Sequence, residues 1–250
     1  MGVDAGVAQS HSTLTPTLSL AGRGSQAGVS LDRVRDHQDR FNQALKSLPL
    51  LASLRGLPVA EAVPIGHVLK KAGWGLMEVP LNSPQPLVSI EKLATAYPEL
   101  VVGAGMCMSM ADARNVRAAG GALVATPHVD AGIIRTARDL GLACLPGVAT
   151  PTEAYTALGA GASALQLYPA ALMTPAAVRA FRALLPASVP LLVAGGITLE
   201  MMGDYLAAGA SGFAIGAALY RLGDSAAAVA VAAGVFATAL EAVSTVRASS

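Results

Sequence analysis

Three polar residues stand in otherwise apolar stretches of the sequence. Glu78 lies in GLMEVP, Gln166 lies in ASALQLYPA, and Arg55 follows the apolar run PLLASL. A buried carboxylate or amide costs free energy unless it finds hydrogen-bond partners or serves a function. We therefore interpret Glu78 as a candidate acid or base, and we expect a specific role for Gln166. An ion pair between Arg55 and Glu78 at neighbouring strand ends is the structural alternative.

Glycines follow two of the later apolar runs. Gly195 and Gly196 lie in AGGIT, and Gly216 lies in IGAALY. Backbone N–H groups in such loops bind phosphate, so these glycines indicate a phosphorylated small molecule as ligand. Tight turns without a ligand explain Gly195 and Gly196 about as well.

Four other polar residues are expected near these candidates. They are Asn82, Gln85, Thr126 and His128, each expected just after a strand. His128 has no second histidine or cysteine at metal-ligand spacing, so we interpret it as a loop residue and expect neither a metal nor a cofactor. Met106 and Met108 fit core packing at a strand end better than a redox role.

The elements that must position these residues follow a repeating pattern of an Ala-rich helix, a glycine and a short apolar strand. The glycine is typical of a helix that ends in the left-handed conformation, and unbroken apolar strands are typical of a parallel sheet covered on both faces. The pattern predicts eight strands, which begin near Leu50, Gly75, Leu100, Ala122, Leu142, Ala162, Pro190 and Ser211.

Eight such units in about 200 residues indicate an α/β fold of the (β/α)8 TIM-barrel type. A doubly wound sheet is the alternative, although its glycine-rich fingerprint after a first strand is missing. In a barrel the candidate residues would share the C-terminal ends of the strands. We interpret Pro64 as a kink or a late helix start.

The first 30 residues are rich in Ser, Thr, Gly and Pro without an apolar period, so we expect residues 1–30 to be a disordered extension. From Leu31 the apolar spacing predicts a helix, and residues 31–250 form the predicted barrel domain.

The composition narrows the possible functions. The chain has 250 residues, 53% of them hydrophobic, and a formal net charge of +1, so it has no electrostatic footprint for nucleic acid or an anionic membrane. Two cysteines without metal spacing, Cys107 and Cys144, suit buried thiols in a reducing cytoplasm. We expect a cytoplasmic protein that acts on small molecules.

Several ordered motifs resemble the bacterial 2-keto-3-deoxy-6-phosphogluconate and 6-phosphogalactonate aldolases. They cover roughly residues 45–230, and LRG together with PLNSPQ is closer to the phosphogalactonate branch. The motifs are LRG, EVPLNSPQ, VGAGM, ATP, PGVATPTEAYTALGAGASALQLYPA and AGGIT.

The resemblance implies a (β/α)8 barrel, a homotrimer and a class I aldolase. In such an enzyme a strand-six lysine forms an imine with the substrate ketone, and the sugar-acid phosphate is cleaved to pyruvate and glyceraldehyde 3-phosphate. Glu78 matches the glutamate that moves protons, and Arg55 matches a residue that holds the substrate carboxylate. Gly196 and Gly216 match the phosphate loops, in which Gly195 is included.

Gln166 matches the lysine, and its amide nitrogen is not nucleophilic. Met106 stands where the family has threonine, and Ala217 stands where it has serine. The four lysines of the chain, Lys46, Lys70, Lys71 and Lys92, are all expected on helices away from the site.

Three functional hypotheses remain open at this point. The first is a phosphogalactonate-type aldolase with an altered nucleophile. The second is a noncatalytic protein of the same fold that binds keto acids or sugar phosphates. The third, a metal-dependent aldolase using Glu78 and His128, lacks ligands in the sequence.

Overall fold

The computed structural model describes Gly2 and residues 31–248, with side chains described for residues 38–242. The predicted disordered extension, residues 1–30, therefore lies outside the described residues apart from Gly2. The predicted helix from Leu31 is present.

Parallel strands close into a barrel in chain order, and in the described part of the chain there are eight of them. This closed topology confirms the predicted (β/α)8 barrel and rules out the doubly wound sheet, which has open edges. The strands are β1 Leu50–Ser53, β2 Leu76–Pro80, β3 Val101–Gly105, β4 Leu123–Thr126, β5 Ala143–Val148, β6 Leu165–Leu167, β7 Leu191–Ala194 and β8 Gly212–Ile215.

Helices cover the outside of the barrel, and a large apolar cluster fills the layer between strands and helices. Pro64 lies in the first turn of α2, so it marks a late helix start rather than a kink. The helices are α1 Leu31–Ser47, α2 Ala62–Lys71, α3 Pro86–Ala96, α4 Met110–Ala118, α5 Ala131–Asp139, α6 Pro151–Ala160, α7 Pro175–Leu184, α8 Leu199–Ala207 and α9 Ala226–Ala248.

The glycines predicted to end the helices have the expected backbone conformation. Each has a positive φ, between 73° and 101°, which a side chain would make costly. They are Gly73, Gly120, Gly141, Gly161 and Gly209. These glycines therefore end the helices that precede β2, β4, β5, β6 and β8.

Strand β6 begins at Leu165, three residues later than the predicted start at Ala162. The N–H groups of Ser163 and Ala164 both donate to the carbonyl of Cys144, and the Ser163 hydroxyl accepts from the N–H of Cys144. The chain therefore bends here before regular pairing starts. Cys144 and Cys107 are both free and buried, as predicted.

Helix α1 closes the N-terminal end of the barrel. Phe41 and Leu45 belong to the same apolar cluster as the inward side chains of the strands, such as Leu51, Leu76 and Leu192. The barrel is thus sealed at this end, so its interior opens at the C-terminal ends of the strands.

Candidate active site

A cavity of about 560 Å³ lies at the C-terminal ends of the strands. It brings together all eight residues that the sequence pointed to as catalytic or substrate-binding positions: Arg55, Glu78, Met106, Gln166, Gly195, Gly196, Gly216 and Ala217. Thr126 lines it as well. The other lining residues include Ser53, Tyr168 and Arg221.

Strand pairing places Glu78 next to Ser53. Ser53 of β1 is in register with Glu78 of β2, which is in register with Gly103 of β3. Paired residues on neighbouring parallel strands point to the same face of the sheet, so the hydroxyl and the carboxylate share one side. A Cβ on Gly105 would lie 1.5 Å from Oε2 of Glu78, so only glycine leaves space for this carboxylate.

The Glu78 carboxyl is buried, with 7% of its surface exposed, and its Oε2 has no hydrogen-bond partner. Burial raises the pKa of Glu78 to about 7, although the Ser53 hydroxyl bond and the charge of Arg55 both act to lower it. Burial therefore dominates, because the charged form loses more hydration than these two neighbours replace. A carboxyl with a pKa near neutrality suits proton transfer at physiological pH.

Arg55 is held by the loop after β2 rather than by an ion pair. Its Nη1 donates to Oδ1 of Asn82 at 3.1 Å, and the adjacent N–H of Gly56 donates to the Ser83 hydroxyl at 2.9 Å. The ion pairs among the residues whose side chains the structure describes are Lys70–Glu99 and Arg138–Asp139, so the alternative of a simple Arg55–Glu78 pair does not describe this site. The guanidinium is positioned at the cavity with donors to spare.

Gln166 points into the barrel from β6, where 8% of its surface is exposed. Its register partners are Gly147 of β5 and Leu192 of β7. The Nε2 group donates to the carbonyl of Leu145 at 3.2 Å, which satisfies one of the hydrogen-bond donors of the buried amide. Gln166 therefore presents an amide, not an amine, to the cavity.

Met106 lines the cavity with a positive φ of 53°. This left-handed conformation is uncommon for a residue with a long side chain, and it turns the chain sharply at the end of β3. The core-packing expectation is wrong for Met108, which is 53% exposed because the turn carries it out of the fold.

The loops after β7 and β8 line the cavity with backbone groups rather than with charged side chains. Gly195 and Gly196 have φ values of 91° and 90°, and a Cβ on Gly195 would lie 3.0 Å from the Tyr168 ring. Gly216 and Ala217 begin a turn whose N–H groups at Leu219 and Tyr220 donate back to the Gly216 carbonyl. Such exposed backbone can accept an anionic group.

Three of the polar candidates lie outside the cavity lining. Asn82 contacts Arg55, and Gln85, the residue before α3, has a φ of 44° and lines a separate cavity. His128 has a buried Nδ1 without a partner, and its carbonyl accepts a bond from the Thr126 hydroxyl. Thr126 alone of the four reaches the cavity.

Sequence reasoning missed Ser53, Tyr168 and Arg221. Ser53 carries a readable signal, because it stands two residues after Leu51 and therefore on the inward face of β1. Tyr168 stands directly after β6 and Arg221 lies in the segment between β8 and α9, and nothing in residue type separates them from ordinary loop residues.

The cavity contains no primary amine from a lysine. All four lysines of the chain lie on α1, α2 and α3 and are exposed to solvent: Lys46, Lys70, Lys71 and Lys92. Among the described residues, no three His, Cys, Asp or Glu side chains lie together as metal ligands. In that same part of the chain, no helix is long and apolar enough to cross a membrane.

Comparison with known proteins agrees with this architecture. Residues 41–229 match the aldolase family described as KDPG and KHG aldolase. A probable 2-dehydro-3-deoxy-6-phosphogalactonate aldolase of Rhizobium meliloti (strain 1021) is 38% identical over 189 residues, which cover 75% of this chain and 89% of that protein. The 2-dehydro-3-deoxy-6-phosphogalactonate aldolase of Escherichia coli (strain K12) is 37% identical over 71% of this chain and 87% of its own length.

Solved structures show the same relation. A structure described as native KDPGal superposes with a TM-score of 0.78 at 36% identity and covers 79% of this chain and 97% of its own. The family match spans most of the barrel, and two relatives above 30% identity are covered almost completely. The chain therefore belongs to the KDPG and KHG aldolase family of (β/α)8 barrels.

Proposed function

We propose that the cavity binds 2-dehydro-3-deoxy-6-phosphogalactonate and that the chemistry of this chain is aldol cleavage to pyruvate and glyceraldehyde 3-phosphate. The observation that carries the proposal is the convergence of Arg55, Glu78 and the two glycine loops on one cavity. The choice of the galactonate compound rests on the relatives at 37% and 38% identity, which are named for it.

Each group has a task that follows from its chemistry. Arg55 holds the substrate carboxylate through its planar fork of N–H donors. The backbone at Gly195, Gly196, Gly216 and Ala217 receives the phosphate. Glu78 exchanges protons with the reacting carbons, because its pKa of about 7 keeps both protonation states populated at neutral pH.

Gln166 limits this chemistry. It stands before the Leu-Tyr-Pro run at the end of β6, the position at which the resemblance places the imine-forming lysine. An amide nitrogen does not add to a ketone to form an imine, and no lysine of this chain lies at the cavity. Compared with an aldolase that has this lysine, the native chain should therefore cleave the substrate on the order of 10⁶-fold more slowly, because deleting a covalent nucleophile lowers the rate by about that factor.

A second candidate function is binding of the keto-acid phosphate without turnover. The absence of a cavity amine favours it, whereas the retained Glu78 favours aldol chemistry because a binding protein has no use for a buried proton carrier. Met106 and Ala217 lack the hydroxyl groups that the resemblance places there, which weakens contacts to the substrate in either case.

The cellular setting follows the family resemblance. We place the protein in the cytoplasm as a homotrimer without a cofactor. A related structure, 35% identical over 81% of this chain, is described as a protein cage designed by fusing symmetric oligomeric domains, which supports a symmetric assembly.

Calorimetry combined with a pyruvate-release assay tests the proposal. The native chain should bind 2-dehydro-3-deoxy-6-phosphogalactonate more tightly than its gluconate epimer and than the compound without phosphate. A slow release of pyruvate that Glu78→Gln abolishes would support cleavage, and binding with no release above the buffer rate would support the second candidate. Absence of binding, or equal affinity for all three compounds, would contradict both.

A further inference from the structure

A second arginine of the cavity, Arg221, has no role in the function proposed so far. It lies in the segment between β8 and α9, shortly after the glycine loop at Gly216 and Ala217, and it lines the same cavity as these two residues. Its side chain is exposed to solvent and therefore accessible to a ligand.

Local hydrogen bonds hold Arg221 in place. Its Nε donates to the Ala217 carbonyl at 3.0 Å, and its N–H donates to Oδ2 of Asp224 at 2.7 Å. The N–H of Asp224 in turn donates to the Arg221 carbonyl at 2.9 Å. An arginine held at Nε and at its backbone needs to lose little further freedom when a ligand arrives.

The outer end of the guanidinium remains available. With the residues whose side chains the structure describes, its two Nη groups form neither a hydrogen bond nor an ion pair. Guanidinium carries five N–H donors in a fixed fork, and the Nε bond to Ala217 uses one of them. The Nη groups therefore lie beside Ala217 with donors ready for an anion.

The two cavity arginines have different hydrogen-bond partners. Arg55 reaches toward β2 through Asn82, whereas Arg221 is tied to the loop after β8 through Ala217. Leu222 packs against the loop after β1, since its Cβ lies 3.6 Å from the position of a Cβ on Gly56. Arg221 is therefore the cavity arginine that is held at the glycine loop of Gly216 and Ala217.

The charge of the cavity favours an anionic ligand. Its charged lining residues are Arg55, Glu78 and Arg221. Burial disfavours the ionised form of Glu78, so the two guanidinium groups give the cavity an excess of positive charge. The glycine loops offer only the partial positive charges of N–H groups, and these do not balance the two negative charges of a phosphate dianion.

We propose that Arg221 supplies the remaining counter-charge and thereby determines the preference of the cavity for a phosphorylated keto acid over its dephosphorylated form. The inference rests on the proposed function and adds a specificity-determining side chain to a phosphate site otherwise built from backbone.

Calorimetry on Arg221→Gln tests the proposal with 2-dehydro-3-deoxy-6-phosphogalactonate and the same compound without phosphate. The variant should bind the phosphorylated ligand about 10- to 100-fold more weakly, because it loses one hydrogen-bonded contact between charged groups. It should bind the ligand without phosphate as tightly as the native chain does. Arg221→Lys should recover part of the loss, because lysine restores the charge but not the fork.

Arg117→Gln is the matched control, since Arg117 lies in the last turn of α4 and outside the cavity lining. This control should bind both ligands like the native chain. An equal loss for both ligands in Arg221→Gln, or no loss for the phosphorylated one, would overturn the role of Arg221. If the native chain itself shows no preference for phosphate, the proposed function fails, and this inference fails with it.

Discussion

Glu78 shows how a single residue is fixed by its neighbours. Gly105 leaves room for its carboxylate, the Ser53 hydroxyl binds it, and the barrel wall removes most of its water. The carboxyl keeps one oxygen, Oε2, without a partner. An unpaired buried oxygen is costly in a structural role and useful in proton transfer.

The pKa of Glu78 makes stability depend on pH. Its ordinary value is 4.5 and the folded value is about 7, so the folded carboxyl keeps its proton between these two values while the unfolded one has lost it. The fold therefore carries no penalty from Glu78 below about pH 4.5 and loses stability as the pH rises toward 7.

We expect Glu78→Gln to remove this dependence. The free energy of unfolding of the variant minus that of the native chain should increase by roughly 2 kcal/mol between pH 5 and pH 8, because only the native chain loses stability through Glu78. Denaturation at both pH values measures the difference, with Glu91→Gln on α3 as a control for the loss of one exposed carboxyl. Parallel pH profiles for the native chain and Glu78→Gln would contradict a raised pKa.

Residue type alone revealed only part of the site. Glu78 and Gln166 stood out because polar residues in apolar strands have few explanations, and the structure brings both to the cavity. Ser53 and Arg221 did not stand out, because serine is common at strand ends and arginine is common in loops. His128 stood out by its type, yet the turn after Thr126 directs it away from the cavity lining.

At the scale of elements, the glycine caps and the apolar strands were enough to predict where each unit begins. Seven strands begin within one residue of the predicted position, whereas β6 begins later because Ser163 uses its side chain to bond the chain at Cys144. Side-chain bonds of this kind depend on residues distant in sequence, so a local pattern does not contain them.

Helix α1 has a structural task that tests the arrangement of elements. Phe41 is fully buried at the closed end of the barrel, so Phe41→Ala should lower the free energy of unfolding by about 3–5 kcal/mol. Gln43→Ala, at an exposed position of the same helix, should cost little. Urea denaturation compares the two, and similar stabilities would show that α1 does not seal the barrel.

At the scale of the whole molecule, the closed barrel explains why seven separate segments of chain meet at one cavity. The same closure places the helices outside, and α9 exposes Val231 and Val235 beside small residues such as Ala230 and Gly234. Apolar surface of this kind is compatible with association between chains.

We expect a homotrimer in solution. Sedimentation equilibrium at micromolar concentration should give a mass of about 75 kDa, as expected for a closed assembly of three chains of 25.1 kDa. A single species with the mass of one chain would contradict the proposed assembly.

We propose that Gln166 stands in this cavity at the position of the imine-forming lysine. Gln166→Lys should restore an amine at the same position, and burial near Arg55 should lower the pKa of that amine and favour its reactive neutral form. Recovery should be incomplete, because Met106 and Ala217 still lack the hydroxyl groups that the family resemblance implies at these positions. Gln166→Met, which is of similar length and has no amine, is the matched control.

Borohydride trapping with pyruvate, read by mass spectrometry, tests the role of residue 166. Only an imine is reduced to a stable adduct, so Gln166→Lys should gain one adduct at residue 166, while the native chain and Gln166→Met should gain none. The lysine variant should also release pyruvate from 2-dehydro-3-deoxy-6-phosphogalactonate far faster than the native chain. A trapped adduct or ordinary enzymatic rates in the native chain, or a lysine variant that neither traps nor cleaves, would contradict this role of Gln166.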